Sequence, residues 1–301
     1  MATQKKSTAL AVVEGFQIAN RYQDIDPELL AELQDELEDL DPDPDILCRQ
    51  IKIPSGGGIA YEVQGEDEND VDSAKEIKGV IIFTHRLNAY WPGAYGDGDD
   101  QNKVPVCSSM DGKTGVNAET GEVIKCENCP LNQYGSATDQ KGNAARGKAC
   151  KNMRRVYLMM DGDPNFYLLT VPPTSIKDVN KQIAKIVHGN TPYGSLVCSF
   201  KLEKAKNTAG IAYSKVVISR AGTLPKEAAA AALIMRRQIK EQYKNIAVTM
   251  ADYTTVDASS RAGRPVDVDA SDWSDGGTLD GAGAFEEAPP HGDGDAPLPF
   301  A

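Results

Sequence analysis

Apolar residues recur along this chain with two different periods, and those periods partition it. Asp26-Pro27 reads as a helix N-cap followed by proline at the first helical position. Leu30, Leu33, Leu37 and Leu40 then repeat every three or four residues, which predicts a helix with a narrow apolar stripe. β-type residues begin at Ile46. Ile51-Lys52-Ile53 predicts a short strand before a Pro-Ser-Gly-Gly-Gly loop, and Gly79-Val80-Ile81-Ile82-Phe83-Thr84 predicts a strong one. Lys151–Met160 reads as a strand that opens on basic residues, Asp161–Asn165 as a turn and Phe166–Val171 as the returning strand. Ile176, Val179, Ile183, Ile186 and Val187 recur at helical spacing and predict a helix over 174–188. Lys177, Lys181 and Lys185 lie four apart on another face of it. Leu196–Lys204 and Ile211–Arg220 predict a hairpin around Asn207–Gly210, and Pro225 opens a long basic helix that ends near Ala251. Residues 1–23 are weakly patterned. Beyond Asp257 periodicity vanishes into Ser, Gly, Asp, Ala and Pro, a disordered composition.

These elements predict a mainly β fold with added helices. The expected form is an OB-fold-like antiparallel barrel, five strands with a helix between two of them, with a cysteine-rich insertion and a disordered acidic C-terminal tail. The expected organisation is an acidic N-terminal extension with its helix at 1–45, a core at 46–225 containing the insertion at 105–152, a basic helix at 226–251 and the tail at 252–301. No run of about 18 apolar residues suggests a membrane span. No signal peptide is read, so the expected compartment is the cytoplasm, where thiols stay reduced.

Charge changes the picture. The net charge of −12 argues at first against a nucleic-acid partner. Its distribution reverses that. Residues 1–145 carry 12 basic and 27 acidic side chains, 146–250 carry 18 basic and 6 acidic, and 251–301 carry 2 basic and 11 acidic. A basic middle between acidic ends sets a local field that the total conceals. Between Asp24 and Asp45 alone there are eleven acidic residues and no basic one, a solvated face or a surface for a partner.

Four of the six cysteines fall between Cys107 and Cys150. Cys126-Glu127-Asn128-Cys129-Pro130 is a C-x2-C knuckle, which places two thiolates on one turn as half of a tetrahedral zinc site. Cys107 and Cys150 supply the other half from the flanks. The loop between them, rich in Gly, Asn, Asp and Thr, cannot build a core of its own, so the expectation is one closed, structural Zn2+. Two disulfides and scattered structural cysteines are the alternatives. A deaminase-type catalytic zinc needs His-x-Glu, and here His85 is followed by Arg86 and Leu87. The triglycine is not a phosphate loop, since no Gly-Lys-Ser/Thr follows it. Cys48 and Cys198 are left over, the latter inside an apolar strand pattern.

Single-strand binders on small β-barrels combine a positive groove with aromatic rings on which bases stack. Arg154, Arg155, Lys201, Lys204 and Lys215 are the candidates for phosphates. Tyr90, Trp91, Tyr157, Tyr167 and Tyr213 are the candidates for stacking, whereas Phe166 and Phe200 read as core. Arg86 lies between the strand at 79–84 and Tyr90. The cysteine-rich insertion at 105–152, the finger, extends the groove through Lys148, Lys151 and Arg154 if it points that way. A metal-dependent nuclease would need converging carboxylates in the basic region, whose six acids include Asp161 and Asp163 in a turn; the expectation is therefore no catalytic activity.

The block Cys-Glu-Asn-Cys-Pro-Leu-Asn-Gln-Tyr-Gly-Ser with Lys-Ala-Cys-Lys-Asn-Met-Arg-Arg, and the terminal Asp-Gly-Asp-Ala-Pro-Leu-Pro-Phe-Ala, resemble phage-encoded single-stranded-DNA-binding proteins. The resemblance covers roughly residues 78–220 and the last ten. It implies sequence-independent binding and protection of single-stranded DNA in replication, recombination and repair, in a host cytoplasm. It also implies a tail that recruits replication or recombination proteins through Asp293, Asp295, Leu298, Pro299 and Phe300. Bacterial relatives end on the aromatic, whereas Ala301 follows it here. A zinc-ribbon adaptor or duplex-DNA-binding transcription or replication factor is the alternative, and the sequence leaves room for a homo-oligomer.

Overall fold

A computed structural model describes residues 10–20, 26–38, 48–66, 70–92, 104–138, 143–189, 191–206, 210, 212–253, 255–256 and 265–266. Helix α1 spans Pro27–Glu38, and Asp26 Oδ1 caps it by accepting from the backbone N–H of Glu28 at 2.9 Å. The side chains of Leu30, Leu33 and Leu37, and all of Leu40, lie outside the described residues.

The strands β1 (Cys48–Lys52), β2 (Tyr61–Gln64), β3 (Val71–Ala74), β4 (Glu76–Tyr90), β5 (Cys107–Ser109), β6 (Thr114–Asn117), β7 (Val123–Lys125), β8 (Ala137–Thr138), β9 (Ala144–Ala145), β10 (Lys151–Met160), β11 (Phe166–Val171), β12 (Leu196–Lys206) and β13 (Ala212–Thr223) form most of the fold. Helix α2 (Pro173–His188) lies between β11 and β12, and α3 (Lys226–Gln242) follows β13. Two further short strands, β14 (Thr255–Val256) and β15 (Pro265–Val266), pair with each other. Eleven strands make one mixed sheet in the order β3-β2-β1-β11-β10-β4-β5-β6-β7, with β12 joined to β4 and β13 to β12. β1 runs parallel to β11 and the other pairs are antiparallel.

The sheet does not close into the expected barrel. The reason is visible at β13, whose outer edge is covered by a helix rather than a strand. Ser175 Oγ and Gln182 Oε1 of α2 accept from the N–H groups of Val216 (3.1 Å) and Ile218 (2.7 Å), and Arg220 Nη2 donates to the carbonyl of Lys185 at 2.7 Å. A covered edge offers no ladder to a further strand. Across the gap, Ser214 Oγ donates to the carbonyl of Pro54 at 2.7 Å and the Tyr61 hydroxyl to that of Lys201 at 3.3 Å.

Both faces of the central strands are apolar, which explains the unbroken runs in β4 and β10. On the inner face Val179, Ile183 and Ile186 of α2 pack with Ile51, Ile81, Val156, Leu158, Leu169, Phe200 and Val216. Each such side chain contributes about 1.5–3 kcal/mol by leaving water. On the outer face Ala228, Ala232, Met235 and Ile239 of α3 pack with Val80, Ile82, Met159 and Leu168. The basic helix read at 226–251 is thus shorter and shares a core with the sheet. Phe16 and Ile18, from the weakly patterned N-terminal stretch, are buried in the same outer cluster, and Val13 N–H donates to the Thr223 carbonyl at 2.9 Å.

One irregularity matters for everything that follows. Tyr157 opposes Phe83 and Leu158 opposes Ile81, so Ile82 is an extra residue in β4. A β-bulge of this kind reverses which residues face which side. Before it, Ile77 and Ile81 point to the inner face; after it, Thr84, Arg86 and Asn88 lie opposite Val156, Arg154 and Asn152.

Candidate nucleic-acid interface

Past α2 the inner face of β4 and β10 turns polar. Two cross-strand rungs stand side by side there, Arg86 opposite Arg154 and Asn88 opposite Asn152. Arg86, Asn88 and Asn152 of these rungs line a cleft of about 290 Å³ together with Asn180, Lys148 and Lys151, walled by Ile176 and Pro173 of α2 and by Tyr134 and Gly112 of the finger; Arg154 lies beside it, bonded to Asn180. Among the described residues none that lines it is acidic. The Arg154 guanidinium is fixed by bonds from Nε to Asn180 Oδ1 (2.7 Å) and from Nη1 to Thr84 Oγ1 (3.1 Å). Burial, and then the charge of Arg86, holds its pKa below the ordinary arginine value. Among the described residues neither arginine has a carboxylate within ion-pair distance.

The finger is shaped toward this cleft. Asp111 Oδ1 accepts from Ser109 Oγ (2.9 Å), Lys113 N (2.7 Å) and Thr114 N (2.8 Å), a turn that places Gly112 at φ +70°. Arg86 packs its stem onto Gly112, where a Cβ would fall 2.9 Å from Arg86 Cβ, so this position requires glycine twice over. Asn88 Nδ2 donates to the Gly112 carbonyl at 3.3 Å. Tyr134 is 77% exposed at the rim, with Lys148 Nζ 5.0 Å from its ring centre.

The four cysteines gather at the end of β4. Cys107 pairs with Tyr90, and Lys151, next to Cys150, pairs with Ala89 on the opposite edge. The knuckle is held to them: Cys126 N–H donates to the Lys113 carbonyl and Cys150 N–H to the Leu131 carbonyl, both at 2.8 Å. Asn132 Nδ2 donates to the Cys126 carbonyl at 2.7 Å. A Cβ on Gly115 would sit 3.0 Å from Cys107 Sγ and 3.7 Å from Cys126 Sγ, so two sulfurs crowd one glycine. Burial, with Cys126, Cys129 and Cys107 nearby, pushes the Cys150 thiol up to about 12. All six cysteines are free thiols, and the residue types suit zinc. As they stand, no group of three or more His, Cys, Asp or Glu among the described residues is arranged to hold a metal ion.

Several residues expected at the interface are elsewhere. Tyr157 is fully buried, its ring near Phe83 and His85 and its hydroxyl 3.2 Å from His85 Nε2. Tyr167 is 4% exposed and its hydroxyl donates to Asp163 Oδ2 at 2.6 Å. Trp91 is 8% exposed and stacks on Tyr253. None of these three rings offers a face to a base. Arg155 is wholly inside, bidentate to Asp252 at 3.0 and 2.6 Å, and cannot reach a phosphate. Met153, Arg155 and Tyr157 of β10 alternate onto the core side of this end of the sheet, which explains the error for Arg155 and Tyr157.

The remaining expected residues form two groups. Arg86 and Lys151 line the cleft and Arg154 lies beside it, opposite Arg86; Tyr90 is half-buried further along β4, beside Cys107. Lys201, Lys204, Tyr213 and Lys215 lie on the hairpin of β12 and β13, with Lys201 paired to Glu76 (3.3 Å) and Lys215 to Asp178 (2.7 Å). α2 stands between the groups, since its Ile176 and Asn180 line the cleft while its Asp178 reaches Lys215. Asn88, Asn152, Asn180 and Tyr134 were missed, although Tyr134 sits beside the knuckle in sequence. Asp293, Asp295, Leu298, Pro299 and Phe300 lie outside the described residues. No helix among the described residues is long and apolar enough to cross a membrane.

No known family model, no curated protein and no solved structure matches this chain.

Proposed function

We propose that this chain is a non-catalytic, sequence-independent single-stranded-DNA-binding protein. The observation that carries the reading is the cleft, which has among the described residues four cationic side chains at or beside it, three amides, one exposed aromatic ring and no carboxylate in its lining. Cations hold phosphates and release their counterions, and an exposed ring takes a base that is not already stacked in a duplex. Cys107, Cys126, Cys129 and Cys150 are proposed to hold one structural Zn2+, which would lock the finger against the end of β4 and so set the cleft's far wall. The acidic C-terminal segment is the proposed recruiting element for partner proteins.

The test is fluorescence anisotropy with labelled single- and double-stranded oligonucleotides at two salt concentrations. The expected result is preference for single strands, weakened by salt and little altered by base sequence. Equal or better binding to duplex would replace this reading with the duplex-binding factor, and binding to neither with the adaptor. For the metal, mass spectrometry of freshly purified, reduced protein is expected to give one zinc per chain; none would overturn the assignment.

A further inference from the structure

Two observations at the floor of the cleft ask for something the protein itself does not supply. The first is electrostatic. Arg86 and Arg154 face each other across the ladder, an arrangement of like charges that destabilises a sheet. Ion pairing relieves neither of them among the described residues. Both are oriented from behind, Arg86 by the glycine turn against its stem and Arg154 by Asn180 and Thr84. An anion seated between them would relieve the repulsion and find its donors already placed. The second observation concerns the adjacent rung. Among the described residues one buried side-chain polar atom lacks a hydrogen-bond partner, and it is Asn152 Oδ1. Buried acceptors are nearly always paired, so an orphan on the wall of a cleft points to a donor that arrives with a ligand.

An anion and an N–H donor are wanted at neighbouring rungs of one ladder, in a space bounded by Ile176 and Pro173. A phosphate joined to a planar, apolar-faced ring with N–H groups on its edge meets all three demands. We propose that the cleft is a subsite for one unstacked nucleotide of the bound strand. Its phosphate lies on Arg86 and Arg154, and an N–H on its base edge is received by Asn152 Oδ1. Adenine and cytosine carry such a donor on an exocyclic amine, thymine on a ring N–H and guanine on both, so the subsite reads the presence of a base more than its identity. Tyr134 at the rim then takes the neighbouring base, with Lys148 over its other side.

This inference rests on the single-strand reading, and the experiment separates the two. Anisotropy is measured for the full chain with an intact 20-mer and with an abasic 20-mer of the same backbone. Asn152→Leu is expected to weaken binding of the intact strand about three- to ten-fold, the worth of one neutral hydrogen bond. It is expected to leave the abasic strand's affinity unchanged, whereas Arg86→Gln weakens both. Asn152→Ala, which removes the acceptor without adding the bulk of leucine, is expected to repeat the pattern and guards against a folding defect in the leucine variant; melting curves are recorded for each. Equal loss on both strands, or loss on neither, overturns the base-edge assignment and leaves the single-strand reading in place. Absence of binding by the wild type to the intact strand removes both.

Discussion

Arg154 and Arg155 are consecutive residues of one strand with opposite surroundings. Arg154 lies beside the cleft, opposite another arginine, and is held by two neutral oxygens. Arg155 faces the core opposite His85, is bidentate to Asp252, and donates to the carbonyls of Ile246 and Ala247. Asp252 in turn accepts from Thr170 Oγ1 at 2.8 Å and from Thr249 N at 3.2 Å, so every lone pair it turns inward is engaged. Desolvation opposes ionisation of both partners, yet their mutual charge keeps Asp252 below the usual carboxylate range and Arg155 above its own. One arginine has its charge satisfied inside the fold; the other has it left available. A strand's alternation can therefore give adjacent residues of the same type opposite surroundings, one clasped by a carboxylate and one without.

The largest expected effect lies on the satisfied side. Asp252→Ala strands a buried guanidinium and is expected to cost about 3–5 kcal/mol of stability. Chemical denaturation checks it, and a loss under about 1 kcal/mol would mean that the pair is not the clasp that holds residues 246–253 to the sheet.

The next effect is pH-dependent and belongs to the same rung. His85 is neutral inside: Nδ1–H donates to the Arg86 carbonyl at 2.9 Å, so Nε2 is the acceptor for the Tyr157 hydroxyl. Burial, and then the nearby Arg155, lowers its pKa from 6.5 to about 4. Between those values the unfolded chain binds the proton and the folded chain does not. Stability is therefore fully present above pH 6.5 and declines as pH falls toward 4, by on the order of 3 kcal/mol from this group. Melting temperatures across that window should fall for the wild type and fall less for His85→Gln. Parallel curves would place the proton uptake elsewhere.

On the available side, Arg86→Gln is expected to change stability by no more than about 0.5 kcal/mol, while the slope of log affinity against log salt decreases in magnitude by about 1. An arginine that matters to the fold as much as Arg155 would show the reverse. The smallest effect is expected at the hairpin, where Lys215 and Asp178 are each about one-third exposed. Lys215→Ala should cost under about 1 kcal/mol in a thermal melt, because water already solvates both charges.

Much of the secondary structure was legible. β10 and β11 begin and end where the patterns place them, α2 starts one residue earlier than expected, and the hairpin of β12 and β13 is present. Asp26 caps its helix as its type suggests. The short strands of the N-terminal half and of the finger were not, because two to four residues between Gly, Asn and Asp carry too little periodicity to register. Phe16 and Ile18 show no period either, since a single extended segment buries them against a helix more than 200 residues away in sequence. At the cleft, Arg86 and Lys151, with Arg154 beside them, could be named from type and position, while the amides could not, as asparagine in a strand carries no signal of what it faces.

The sequence by itself determined most of the long strands and helices and where positive charge concentrates, because these depend on local period and composition. Tertiary structure alone decided which face each residue meets. Ile82 is one extra residue in β4, and by reversing the alternation after it, it carries Arg86 and Asn88 to the side of Arg154 and Asn152. Arg155 became structural because Asp252, 97 residues away, closes on it from behind the sheet. The barrel stayed open because α2, whose own sequence says only that it is amphipathic, satisfies the edge of β13 with Ser175 and Gln182. Each outcome turns on the partner across a ladder or a cavity, and a period in one segment holds no information about that partner.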